Sequence, residues 1–143
     1  MPLIQVTASQ GTLGKNDQDV LMSRLSNAVL KSERAPINEP GAQSLVWAYY
    51  QEIPNGGVYV GGENLETPPI RIDLTTPIGA LNDGTRKSLV KEVGDIVNEI
   101  IGPYEDRLNH WTMLNELDEG SWAGGGQIFR LADIQDAMNI KAA

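Results

Sequence analysis

The chain has no cysteine and a single histidine, His110, in 143 residues. Disulfides and thiol nucleophiles are excluded, and a zinc or copper centre finds too few soft or imidazole donors to be expected. Positive charge is scarce as well: 11 Lys and Arg stand against 19 Asp and Glu, a formal net charge of −8. That balance argues against a nucleic-acid backbone or an anionic membrane surface as partner. No apolar stretch approaches the length of a membrane span, and no basic-then-apolar leader precedes the first expected strand. The expectation is a soluble, cytoplasmic protein with no nucleic-acid or membrane partner.

What is present is a sequence that repeats itself. Residues 2–32 align with 70–100 at a constant offset of 68, so that Thr7, Gly11, Leu13, Leu21 and Val29 recur as Thr75, Gly79, Leu81, Leu89 and Val97. The offset then becomes 64: Trp47, Glu52, Gly56, Gly61 and Gly62 recur as Trp111, Glu116, Gly120, Gly125 and Gly126. A duplication of this kind fixes the architecture before any residue has a role. Each copy has roughly 65 residues, close to the lower limit for a self-sufficient core, so the two are expected to share one. The chain therefore reads as one domain over 1–143, with a first copy at 2–62, a second at 69–126 and a C-terminal tail at 127–143.

Within each copy the hydrophobic period switches. Ile70, Ile72 and Leu74 alternate with Arg71, Asp73 and Thr75, which is a strand. The offset places Pro2, Ile4 and Val6 on the apolar face of its first-copy equivalent. Helices are expected over 17–31, from Leu21, Leu25, Ala28 and Val29, and over 85–101, from Leu89, Val93, Ile96, Val97 and Ile100. Asp83 or Thr85 would cap the second helix, and Gly102-Pro103 would stop it. An irregular connection spans 33–41. Second strands follow at 45–52 and 110–117, each ending at a Gly-containing turn, then a short extended piece and a double glycine. Residues 131–140 suggest a short tail helix. A strand–helix–strand crossover of this length implies parallel pairing. The expected fold is thus α+β: tandem β-α-β repeats forming a four-stranded mixed sheet with two helices on one face. No other element is large enough to cover the second face, and oligomerisation is the simplest cover.

A proline at the second position, Gly11, and the spacing Glu52-(three)-Gly56-(four)-Gly61-Gly62, repeated from Glu116 to Gly126, together resemble the tautomerase superfamily, in particular its fused two-copy members. That superfamily includes 4-oxalocrotonate tautomerase, the cis-3-chloroacrylate dehalogenases and macrophage migration inhibitory factor. The resemblance covers residues 2–126 and implies a β-α-β-based fold assembled as a homotrimer, a cofactor-independent enzyme and a small carbonyl or enol substrate. It also implies removal of the initiator methionine and catalysis by the exposed N-terminal proline, here Pro2. Ile70 stands at the equivalent place, so the second copy lacks a catalytic amine. Other expected residues are missing. Thr12 and Trp47 stand where simple tautomerases have arginines, and Pro77-Ile78-Gly79-Ala80 has none of the dehalogenase arginines. Val29, Met113 and Gly124 fall near the dehalogenase histidine, tyrosine and acidic residue.

The chemistry of such a proline is elementary. Freed of Met1, it presents a secondary amine; with Met1 attached, its nitrogen is a tertiary amide with no basicity. An α-amino group titrates at about 7.7–8.0 in water, and apolar surroundings lower that value. A base poised near neutrality suits proton abstraction α to a carbonyl, and the same nitrogen can act as a nucleophile. The reading is therefore a keto–enol tautomerase with Pro2 as general base. Two alternatives stay open: a hydratase, dehalogenase or decarboxylase on the same scaffold, and a non-catalytic trimeric binding protein.

Other candidates surround it. Trp122 is the expected wall that keeps the proline dry. Of Trp47 and Trp111, one is expected in the core and the other on the pocket wall, with Trp111 fitting either role. Tyr49 could donate to a developing enolate or merely pack across strands with its counterpart Met113. Arg71, Arg107 and Arg130 are the cations available to replace the missing arginines, with an ordinary surface or interface ion pair as the competing reading. Arg71 is the one retained among the substrate-binding candidates. Glu52 and Glu116 end strands and are expected to hydrogen-bond turn amides. The double glycines lack the context of a phosphate loop.

Overall fold

The computed structural model describes residues 1–140; residues 141–143 of the expected tail lie outside them. The first copy runs β1 (Leu3–Ser9), α1 (Lys15–Ser32), α2 (Pro40–Leu45), β2 (Trp47–Ile53) and a hairpin of β3 (Tyr59–Val60) and β4 (Glu63–Asn64). The second runs β5 (Ile70–Pro77), α3 (Asp83–Ile101), β6 (His110–Leu117), a hairpin of β7 (Ala123–Gly124) and β8 (Gln127–Ile128), and then α4 (Leu131–Ala137). The four long strands form one sheet in the order β2-β1-β5-β6. β1 pairs parallel with β2 and β5 parallel with β6, as crossover helices require, and the copies join through the antiparallel pair β1–β5.

One face of the sheet carries Ile4, Val6, Ala8, Ile70, Ile72 and Leu74, all buried against Leu21, Leu25, Ala28 and Val29 of α1 and Leu89, Val93, Ile96 and Val97 of α3. These are the residues whose periods defined the strands and helices. The opposite face is bare. Leu3 pairs with Trp47, Gln5 with Tyr49, Arg71 with Trp111 and Asp73 with Met113 across it. Trp47, Tyr49 and Trp111 are all more than half exposed.

Four local expectations are corrected. The segment from Pro40 to Leu45 is a helical turn and a half, so the second strand starts at Trp47 and the irregular connection is shorter than expected. Pro40 sits at the first helical position, where its fixed φ and missing N–H favour a start. The cap of α3 is Asn82, whose Oδ1 accepts from the Thr85 N–H at 2.9 Å while Thr85 Oγ1 accepts from the Asn82 N–H at 2.8 Å. The N-cap is thus Asn82 in place of Asp83 or Thr85, and Thr85 takes part as the N3 partner of the box. Glu116 accepts from Arg86 of α3 at 2.6 Å rather than from turn amides. The tail helix ends at Ala137, and Arg130 is its N-cap residue, placed between β8 and α4. The double glycines earn their place in the hairpins: Gly61 and Gly62 have φ of 60° and 83°, and Gly125 and Gly126 57° and 83°. Two consecutive positive φ values are what a two-residue hairpin turn demands.

Candidate active site

The first strand begins where the second apolar cluster meets the sheet. Pro2 is buried, and its carbonyl accepts from the Trp47 N–H at 3.2 Å, which fixes it against the head of β2. Around it lies a groove of about 790 Å³, lined among others by Leu45, Trp47, Tyr49, Trp122, Phe129 and Ile134. β2 supplies Trp47 and Tyr49, the β7–β8 hairpin supplies Trp122, and α4 closes the end with Ile134. The Phe129 N–H donates to the Trp122 carbonyl at 2.9 Å, which ties the hairpin arm that carries Trp122 to the lead into α4. Trp47 Nε1 donates to the Ser44 carbonyl at 3.1 Å, fixing its ring at the mouth.

The groove is mostly apolar, and its lining has no Lys or Arg. Its one charged side chain is Asp133, which accepts from the Arg130 N–H at 2.9 Å and so serves the helix start. The cations proposed from sequence are committed elsewhere. Arg71 Nε donates to Asp73 Oδ2 at 2.9 Å on the bare face of the sheet. Arg107 lies over the Tyr104 ring at 4.5 Å and donates to the Thr67 carbonyl and hydroxyl. Arg130 approaches Glu119 at 3.9 Å. Thus Pro2, Tyr49 and Trp122 share one groove, which Tyr49 joins from the β2 edge of the open sheet face, whereas Trp111, Met113 and Arg71 stand on the same face nearer β6 and do not line it.

One residue at this end of the molecule escaped the sequence reading. Glu33 is 3% exposed, and its Oε2 lies 3.6 Å from the Met1 amino nitrogen. Burial pushes its carboxyl above the ordinary range, with the amino group alone opposing. Burial likewise pulls the chain-terminal amine below its ordinary value, while Glu33 pulls it back up. The signal that could have found it is an acid immediately after an apolar helix end, where the negative pole of the helix disfavours an anion. Among the described residues no group of three or more His, Cys, Asp or Glu could hold a metal ion, and no helix is long and apolar enough to cross a membrane.

No family model and no curated protein matches the chain. Solved structures do. A fused 4-OT, the R7 wild type, an asymmetric trimer, superposes with a TM-score of 0.72 at 15% identity, over 88% of this chain and 94% of that one. Pt0534 inactivated by 2-oxo-3-pentynoate superposes with a TM-score of 0.71 at 21% identity, over 87% and 93%. N1, a member of the cis-3-chloroacrylic acid dehalogenase family, does so with a TM-score of 0.68 at 12% identity, over 88% and 82%. The chain shares the fold of these structures, a fused 4-OT among them.

Proposed function

We propose that this protein is a cofactor-independent tautomerase, active once Met1 is removed, with the Pro2 nitrogen as general base. The observation that carries the reading is the burial of Pro2 at the head of β1, inside an apolar groove closed by Trp122, Phe129 and Ile134. A secondary amine released there loses hydration, which favours its neutral, basic form at neutral pH. The groove's lack of Lys and Arg supports a small carbonyl or enol substrate with less negative charge than a dicarboxylate. The presence of Tyr49 on the groove wall supports a role for its hydroxyl as donor to a developing enolate. The bare, aromatic sheet face, together with the trimeric assembly of the R7 fused 4-OT, supports a homotrimer. Such an assembly would bring the sheet-face residues Trp111, Met113 and Arg71 to subunit boundaries.

The test begins with the intact mass of the purified protein, which is expected to lack Met1. Assays on phenylenolpyruvate and 2-hydroxymuconate then compare wild type with Pro2→Ala. The substitution is expected to lower the rate by about 10²–10⁴-fold, and the dicarboxylate is expected to be the poorer substrate. Equal rates for the two proteins would remove Pro2 from the mechanism.

A further inference from the structure

Removal of Met1 does more than free a nitrogen. Met1 packs into the second apolar cluster, beside Leu45, Val46, Trp122, Phe129 and Met138. Its amino group sits between Met138 Sδ at 3.0 Å and Glu33 Oε2 at 3.6 Å. Three bonds separate that nitrogen from the Pro2 nitrogen, a span of at most about 3.7 Å from standard bond lengths. Excision therefore vacates a recess with the Pro2 nitrogen on one side and the Glu33 carboxyl on the other.

Glu33 is placed there by backbone geometry. It is the C-cap residue of α1, followed by Arg34 at φ 64°. The Ala35 N–H donates to the Leu30 carbonyl at 2.9 Å, and the Arg34 N–H to the Lys31 carbonyl at 3.0 Å. This Schellman closure reverses the chain and leaves the Glu33 side chain inside. The position is hostile to an anion: it is buried, it lies at the negative end of a helix, and Glu33 Oε1 has no hydrogen-bond partner. A buried polar atom left unused in this way asks for an explanation. The second copy supplies a contrast. At the offset of 68, Pro2 corresponds to Ile70 and Glu33 to Ile101. Ile101 lines the other large groove, of about 590 Å³, beside Tyr104 and Thr67. The pair lies one residue beyond the aligned stretch, and α3 ends at Ile101 with Gly102 as its C-cap, so the second copy carries no acid at either position.

We propose that in the processed chain Glu33 is the acid partner of Pro2, the two flanking the recess that Met1 vacates. The inference rests on the reading of Pro2 as the base. In the reaction, a C–H bond α to the carbonyl breaks as an N–H bond forms at Pro2. The electron pair moves onto the carbonyl oxygen, which takes the proton of the Glu33 carboxyl. The prolinium then returns its proton to the Glu33 carboxylate, and one proton has moved from carbon to oxygen. With no Lys or Arg in the groove, a neutral carboxylic acid takes over the stabilisation of the oxygen that arginines would otherwise provide.

The elements around Glu33 bring few competing charges. α2 and β1 contain no titratable side chain. α4 contributes Asp133, bonded to the Arg130 N–H, and the exposed Asp136. On its own segment, Lys31 reaches to Glu92 at 3.4 Å, and Arg34 is exposed.

The probe is 2-oxo-3-pentynoate, an alkynyl ketone whose labelling of the protein is followed by intact mass against pH. The Pro2 nitrogen bonds to the alkyne carbon β to the ketone as one π bond breaks. The nitrogen loses its proton, and the α-carbon gains one. The wild-type rate is expected to fall at both low and high pH, because the pair must hold one proton. Glu33→Gln is expected to label about 10²-fold more slowly and to lose the high-pH fall, leaving a rise to a plateau. Glu33→Asp is expected to keep both limbs. A Glu33→Gln protein that labels slowly but keeps both limbs would make Glu33 structural and overturn the inference, with Pro2 untouched. Labelling that is absent, or equal in Pro2→Ala, would overturn the reading of Pro2 itself. If Glu33→Gln does not fold, NMR of the wild type decides: coupled titration of the Pro2 nitrogen and Glu33 Cδ supports the pair, and independent titration refutes it.

Discussion

Replacing Trp111 by lysine should break the proposed trimer. Trp47 is 61% exposed, Tyr49 55% and Trp111 67% in the isolated chain. With about 200–250 Å² on each ring system, some 400 Å² of aromatic surface per subunit faces water. At about 25 cal/mol per Å², covering it would yield roughly 10 kcal/mol before the costs of association. The Trp111 share is about 4 kcal/mol, equivalent to roughly a thousandfold in an association constant. Lysine adds a second penalty, because Trp111 lies directly opposite Arg71 on the same face, and like charges across a strand pair repel. Sedimentation equilibrium should show wild type at three times the chain mass and Trp111→Lys dissociating at micromolar concentrations. The helix-side core does not involve Trp111, so the variant should keep its far-UV circular dichroism. A wild type that sediments as a single chain, or a variant as tightly associated as wild type, would refute the argument that this face needs a protein cover.

Two further outcomes follow from single residues. Arg34 holds a positive φ that glycine adopts without strain, so Arg34→Gly should raise stability by up to about 1 kcal/mol in denaturant melts; a loss of stability would mean that its side chain matters more than its backbone. His110 is half-buried, its Nδ1 lies 2.6 Å from Asn109 Oδ1, and burial lowers its pKa, so its imidazole resonance should titrate with a midpoint below the ordinary value of about 6.5. Because the folded state holds that proton more weakly than the unfolded one, the contribution to stability is present above the ordinary value and is lost as pH falls through the lowered one. His110→Gln should flatten that part of the stability profile, and a midpoint at or above the ordinary value would contradict the placement.

The repeat made most of the architecture readable. Helix period in Leu21, Leu25 and Leu89, Val93, and strand alternation in Ile70, Ile72, Leu74, mark residues that are buried in the structure because burial is what creates such periods. The bare sheet face was legible too, since no element remained to cover it. What escaped was set by local backbone chemistry. The turn at Pro40 has too few residues for a period, and the choice of Asn82 over its neighbours depends on reciprocal bonds that only coordinates reveal. The distribution of candidate residues between groove and open sheet was also hidden. Tyr49 and Met113 are equivalent by repeat, yet β2 lies beside the β7–β8 hairpin and α4, so only Tyr49 lines the groove with Pro2.

Glu33 shows most clearly why a repeat can both reveal and conceal a site. Repetition directs attention to what the copies share, and the shared residues here are those of the fold: strand faces, helix faces and hairpin glycines. Chemistry would sit instead where the copies part. An ordinary acid after a helix is a solvated charge, and the sequence alone gives Glu33 no other status. Only the Schellman closure at Arg34, which buries the carboxyl against the chain's own amino end, separates it from the other acids of the chain. Ile101, set against it by the repeat offset, is a half-buried helical residue on a groove wall and has no carboxyl to desolvate. If stability alone governed the position, the aliphatic residue would be the better choice in both copies. The retention of an acid beside the one proline that can become an amine is therefore an argument for chemistry. It also implies that Glu33→Ile should stabilise the fold at neutral pH while slowing labelling at Pro2.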